Sequence, residues 1–228
     1  MRPIIPTAGA LASTRLRGDH VAVDEARSVR EFWFGQLPLS ADALAQRMHF
    51  WFGESASSEG ADRDQSIRSR FGELFERAIA GELDGWADGP RRLLSLIVIL
   101  DQFPRNMFRG TARAFSGDAR ALALALSGMQ SAADAALDAV ERIFFYMPLQ
   151  HAESREVQDE SVAANRRLLA EAPEALQAAF ADVLRAAEGH REVIGRFGRF
   201  PHRNAVLARA STPEEDQWLQ SGGERYGQ

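Results

Sequence analysis

Residues 66–81 read Ser-Ile-Arg-Ser-Arg-Phe-Gly-Glu-Leu-Phe-Glu-Arg-Ala-Ile-Ala-Gly. Ile67, Phe71, Leu74, Phe75, Ala78 and Ile79 recur at i, i+4, i+7 and i+8, the spacing of one buried helical face, and Gly81 stands where such a helix ends. The same period carries on outward. Pro90 opens a further helix at its first turn, and Pro104 is expected to end or kink it after Phe103. Alanine-rich segments at 117–128 and 132–146 follow, the second stopped by Pro148, and another helix covers 154–171. Pro173 starts a long stripe through Leu176, Phe180, Val183, Leu184, Ala187, Ile194 and Phe197. Thr212-Pro213-Glu214-Glu215 is a capping box with proline at the first helical position. No stretch alternates as a strand does for more than a few residues. The fold class is all-α, with about ten helices in packed antiparallel pairs. Trp33, Phe34, Trp51, Phe71, Phe75, Leu96, Phe180 and Phe197 are the expected core.

The 228 residues, 45% hydrophobic and 26% charged, have an ordinary globular composition,. We read residues 1–22 as a disordered tail and 23–228 as a single domain. The longest apolar run, Leu93 to Leu100, is far short of the roughly 20 residues of a membrane span. A cytoplasmic location without membrane contact is expected. The chain has no cysteine, which excludes disulfides, thiolate nucleophiles and cysteine metal sites,. It also has no lysine: all 27 basic residues are arginine. Schiff-base chemistry and a lysine-bearing phosphate loop are thereby excluded. Arginine grips carboxylates and phosphates bidentately but does not act as a base.

A net charge of −5 argues against a general nucleic-acid binder,. Residues 90–120 and 185–209 each carry six arginines against two carboxylates, so each is locally +4 and the remainder −13. Two basic segments in an acidic chain suit a small anion better than a duplex. Solvated arginines on helix faces account for the same count.

Familiar catalytic patterns fail. Asp62-x-Asp64-x-Ser66 with Glu73 imitates a calcium loop, but Ile67 occupies the position where glycine is required. His151-Ala-Glu153 and His190-Arg-Glu192 lack metalloprotease spacing, and neither a nucleophile elbow nor a dinucleotide fingerprint is present. His151, Glu153, His190 and His202 could supply a zinc or iron site only if the fold gathered them. No metal or cofactor is assigned.

Three polar stretches stand apart from the plain helices: Leu100-Asp-Gln-Phe-Pro-Arg-Asn-Met-Phe-Arg-Gly110 with Phe115 and Asp118, Glu141-Arg-Ile-Phe-Phe-Tyr-Met-Pro-Leu-Gln-His151 continuing through Glu153 to Gln158, and Arg196-Phe-Gly-Arg-Phe-Pro-His-Arg-Asn204. On these residues the chain resembles the bacterial domain-of-unknown-function family 924, whose members carry LDQFPRN, MPL-x-H-x-E and RFGRFPHRN segments in this order. Phe32-Trp33-Phe34-Gly35 and residues 211–215 extend the likeness over roughly residues 24–226. The resemblance implies a tetratricopeptide-like helical superhelix. It implies no reaction and no catalytic residue.

Phe103-Pro-Arg-Asn106 and Phe200-Pro-His-Arg-Asn204 echo each other, each expected to break a helix and present Arg and Asn at its end. Asp101 and Glu141 are poor core residues unless arginines meet them, and the first and third segments supply arginines. The three segments are therefore expected to converge. One reading is an enzyme acting on a small anion. His151 or His202 would move a proton, oriented by Glu153 or Asp101, because imidazole titrates near neutrality. Arg105, Asn106, Arg109, Arg142, Tyr146, His190, Arg196, Arg199, Arg203 and Asn204 would hold the ligand. The alternative is an adaptor clamping an acidic peptide or a C-terminal carboxylate. A structural role explains the same charges if Asp101 and Glu141 pair with arginines of the third segment. Arg105, Arg109, Arg199 and Arg203 outnumber the carboxylates close to them in sequence, so some arginine is expected to lie open in a cleft.

Overall fold

The structure, a computed structural model, describes residues 25–53, 57–224 and 226. The expected tail at 1–22 lies outside these residues. Nine α-helices are described, with no strand among the described residues: α1 (25–34), α2 (Ala41–Phe52), α3 (Ser58–Ala80), α4 (Pro90–Met107), α5 (Asp118–Gln130), α6 (Ala139–Gln150), α7 (Arg155–Glu171), α8 (Gln177–Phe197) and α9 (Pro213–Gln220). Short 3₁₀ turns join several of them. The protein is all-α. Helices α3 and α4, α6 and α7, and α7 and α8 pack as successive neighbours, an order compatible with the superhelix that the resemblance implies.

Helix α3 shows how the local signals act. Ser57 caps its start by accepting from the Gly60 N–H, and Gly81 ends it at a φ of 89°, a left-handed conformation that glycine adopts without strain,. Ile67, Phe71, Leu74, Phe75 and Ala78 are buried, while Ile79 at the edge of the stripe is exposed. The stretch that imitates a calcium loop is simply part of this helix. Helix α4 is different in kind. Every residue from Leu93 to Met107 is buried, because α3, α5 and α6 all pack against it. The helix is buried all round, so its polar groups, Asp101, Gln102, Arg105 and Asn106 among them, need partners,.

Both internal prolines depart from expectation. Pro104 lies inside α4, and Pro148 inside α6. Each falls in the last turns of its helix, where losing one N–H donor leaves the rest of the hydrogen-bond ladder intact. Pro104 still accepts from Phe108 N–H at 2.9 Å. The Leu100 carbonyl, which loses its donor, faces Gly117, where a Cβ would overlap it. The helix expected over 132–146 begins only at Ala139. There Asp138 and Glu141 form a capping box, preceded by a 3₁₀ turn at Asp134–Ala136. The predicted box at Thr212 is present, with Glu215 and Thr212 bonded reciprocally.

Trp33, Phe34, Trp51, Phe71, Phe75, Leu96 and Phe180 are buried. Phe197 is only half-buried, packing on Trp218 in a small satellite cluster with Val193, Ile194 and Phe200. At the centre, Trp33 meets Phe103 and Phe144 edge to face, and Trp51 donates to the Trp33 carbonyl at 2.9 Å. This aromatic knot ties α1 and α2 onto α4 and α6, beside the site described next. No described helix is long and apolar enough to cross a membrane.

Candidate functional site

The three motif segments come together where the C-terminal ends of α4 and α6 meet the turn after α8. Asp101, on α4, has no exposed surface. Its Oδ1 lies 2.7 Å from His151 Nδ1, and its Oδ2 accepts from Gln102 Nε2 at 2.6 Å. Arg105, one turn on, donates to the Asp101 carbonyl at 2.7 Å and grips Asp118 at 2.7 and 2.9 Å. Arg203 arrives from the third segment. It donates to the same Asp118 at 3.4 Å and to the His151 carbonyl at 3.1 Å, with Phe115 and Phe200 against its guanidinium.

The third segment is also pinned to the second by Glu153. This carboxylate accepts from Phe200 N–H at 2.8 Å and from Arg209 at 2.6 and 3.0 Å. Arg199 grips Glu215 at 2.7 and 2.8 Å, and Asn204 donates to both Glu215 and Ser211 at 3.2 Å. Arg196 pairs with Glu214 on the surface. Arg142 binds Glu171, while Tyr146 donates to Asp134, away from the other groups. His202 packs against Phe200 and Tyr226.

Asp101 finds its arginine in the first segment, within expectation, whereas Glu141 finds one outside all three segments. Asp101 is met by Arg105 of its own helix and by His151, and Glu141 by Arg30 of α1 at 2.7 Å. Neither takes an arginine of the third segment. The expected open arginine is absent as well: Arg105, Arg109, Arg199 and Arg203 each reach a carboxylate. Asp64 and Glu215 supply two of them, from helices remote in sequence. The echo between the two Phe-Pro segments is partial, since Pro104 continues its helix whereas Pro201 opens a 3₁₀ turn after α8 has ended at Gly198. What the echoed arginines Arg105 and Arg203 share is Asp118.

A cleft of about 650 Å³ opens beside this network. Gln102, Arg105 and Asn106 of α4, with Arg109 just beyond it, line one side, and Met147 and Gln150 of α6, with His151 at its C-cap, the next. Val183, Ala186 and His190 of α8 face Met48, Trp51 and Phe52 of α2 across it, with Arg63 and Tyr226 at its edges. Three guanidinium groups thus meet an apolar wall. Arg63 and Arg109 both reach Asp64 at 3.2 Å, and Arg63 also donates to the Phe50 carbonyl at 2.6 Å. Among the predicted site residues, Arg105, Asn106, Arg109, His151 and His190 line the cleft and Asp101 stands directly behind it. Glu153, Arg142, Tyr146, Arg196, Arg199, His202, Arg203 and Asn204 do not line it. No three or more His, Asp or Glu side chains are arranged to hold a metal ion among the described residues.

The electrostatics follow from burial. Burial alone would raise the Asp101 carboxyl, but His151, Arg105 and the hydrogen bond from Gln102 hold it below the usual carboxylate range,. Burial, with Arg105 beside it, lowers the His151 imidazole despite Asp101. Burial first, and then His151, pushes His190 down to about 3, and burial with Arg203 does the same to His202. These imidazoles are neutral near pH 7. A neutral ring carries one N–H, and for His151 it lies on Nδ1 facing the carboxylate. Its Nε2 is left as a lone pair at the cleft, without a hydrogen-bond partner among the described residues.

Gln102, Gln150 and Arg63 escape the sequence reading. Arg63 was legible in principle: it precedes Ile67 by four residues, so the buried face of α3 runs straight onto a charge. Gln150, next to His151, gives no such signal.

Among the described residues, nine helices carry a buried Asp–His pair beside an arginine-lined cleft. The chain belongs to the family described as bacterial protein of unknown function, DUF924, whose sequence profile matches residues 29–223. It is similar to a solved structure of a protein of unknown function from Agrobacterium tumefaciens, ATU0120. The two share 34% identity at a TM-score of 0.73, over 88% of this chain and 99% of that one. No curated protein matches the chain.

Proposed function

We propose that the cleft binds a small amphipathic anion and that His151 is a general base acting on it. The observation that carries this reading is the Asp101–His151 pair. A fully buried carboxylate fixes Nδ1–H and turns Nε2 to the cleft, which is how a base is oriented and kept in one tautomer. Arg63, Arg105 and Arg109 favour an anionic group although each is paired with Asp64 or Asp118, since a guanidinium has several N–H donors and can match carboxylate or phosphate oxygens as well,. Met48, Trp51, Phe52, Met147 and Val183 favour an apolar body. A volume of about 650 Å³ suits a small molecule,. The acidic-peptide reading draws less support, because Arg199 and Arg203 are held in pairs away from the cleft.

The test has a binding arm and a turnover arm. In thermal shift, octanoate stabilises the protein where octanol does not; a ligand at 100 times its dissociation constant adds about 2.7 kcal/mol. For turnover, the protein is incubated with a small-molecule extract and followed by mass spectrometry. An anionic compound is consumed by the wild type and spared by His151→Asn, which still binds octanoate. Equal profiles for the two proteins would remove the catalytic reading, and no stabilisation by any anion would remove the cleft itself.

A further inference from the structure

The hydrogen-bonding groups of the cleft constrain its ligand further than charge does. His190, 7% exposed, points Nδ1 at the Ala186 carbonyl 2.7 Å away. A carbonyl only accepts, so the proton of the neutral ring lies on Nδ1 and Nε2 is a lone pair. His151 is in the same state, held by Asp101. The two rings stand 6.2 Å apart, centroid to centroid, and both line the cleft. Gln150, 2% exposed and also lining it, has the opposite need. Its buried Nε2 has no acceptor among the described residues. Two acceptors and one donor are therefore held at the cleft by second-layer hydrogen bonds and packing. Of the three, Gln150 Nε2 is buried without a partner among the described residues, a state that is costly unless a ligand completes it,.

We propose that the ligand carries, besides its anion and apolar body, a neutral hydrogen-bond donor for the Nε2 atoms of His151 and His190 and an uncharged oxygen acceptor for Gln150. This rests on the amphipathic-anion reading above and narrows it. A plain fatty-acid carboxylate binds the cleft but leaves these groups uncompleted. It has no proton to give at neutral pH and would set its lone pairs against those of the two imidazoles. An ammonium donor is disfavoured because Arg63, Arg105 and Arg109 line the same cleft, and Asp182, the one carboxylate among its lining residues, is paired with Arg185,. A neutral O–H or N–H remains. Both a hydroxy acid and an N-acyl amino acid offer one together with an uncharged oxygen.

The wild-type protein tests this by calorimetry with octanoate, 3-hydroxyoctanoate and N-hexanoylglycine, three anions of similar length. We expect the hydroxyl arm, the amide arm or both to bind at least about tenfold more tightly than octanoate, a ratio worth about 1.4 kcal/mol. The stronger arm identifies the donor. His190→Phe, which keeps the ring packing on Tyr226 and Phe200, and Gln150→Met should each shrink the ratio between the stronger arm and octanoate. Binding of all three anions within a factor of about two, in wild type, overturns the proposal and leaves the amphipathic-anion reading standing. Failure of all three to bind overturns both.

Discussion

Arg105 and Arg203, far apart in the sequence, close on a single carboxylate. Asp118 takes a two-point grip from Arg105 at 2.7 and 2.9 Å and a third bond from Arg203 at 3.4 Å. Both arginines are buried. Burial, and then the neighbouring Arg105, lowers the Arg203 pKa to about 10, so Asp118 offsets a repulsion as well as a desolvation cost,.

Removing Asp118 should therefore be far worse than removing a surface carboxylate. Asp118→Ala leaves two buried cations facing each other and is expected to cost about 3 kcal/mol or more in urea unfolding. Glu188→Ala, which breaks the exposed pair with Arg166, should cost well under about 1 kcal/mol,. Equal effects would show that the Asp118 network is solvated in solution.

Acid should unfold the protein earlier than its carboxylates alone would require. His151, His190 and His202 are all lowered, the latter two to about 3, while an unfolded imidazole binds its proton near pH 6.5,. Between those limits the unfolded chain holds more protons, so stability falls as pH falls from about 6.5. Glu215, held at about 2 by its bonds from Arg199, and the lowered Asp101 and Glu153 add to the loss below about pH 4.5,. Denaturation midpoints measured across this range should show the decline beginning above the carboxylate region, and His190→Phe should make the upper part shallower.

The tautomers are directly observable. Nitrogen-15 spectra should find His190 neutral with the proton on Nδ1 at about pH 6, where a free imidazole is mostly charged, and His151 less protonated there than a free imidazole, its neutral form also carrying the proton on Nδ1,. An Nε2–H tautomer for either ring would contradict the hydrogen bonds to Asp101 and Ala186.

Gly117→Ala tests the close approach over α4. A methyl group there overlaps the Leu100 carbonyl, so the 3₁₀ turn at Ala112–Phe115 and the start of α5 must move away. A loss of about 1–3 kcal/mol is expected. Gly189→Ala, where a Cβ meets nothing within α8, should be neutral or stabilising because alanine is the better helix former,.

Helix positions were legible because burying one face imposes a 3.6-residue period that Ile67 to Ala78 displays without help from the rest of the chain. The three motif segments were legible too, as polar clusters that solvated helix faces do not need. Their partners were not. Asp64 answers Arg109, Glu215 answers Arg199 and Arg30 answers Glu141 through space, across helices whose packing the local sequence does not encode. Pro104 and Pro148 misled for a related reason: a proline breaks a helix only where the lost donor matters, and that depends on how near the helix end it falls. Gln150 is silent in sequence because an uncharged amide acquires meaning only from the lone pairs placed beside it.

The central claim is that an amphipathic anion enters the cleft between α2, α4, α6 and α8. Methyl-labelled methionine reads this out directly, since Met48 and Met147 line the cleft while Met129 lies on α5 outside it. Titration with octanoate should shift the Met48 and Met147 methyl signals together, saturably, and leave Met129 in place. Movement of Met129 alone, or no saturable change at Met48 and Met147 at any concentration that keeps the protein folded, would contradict it.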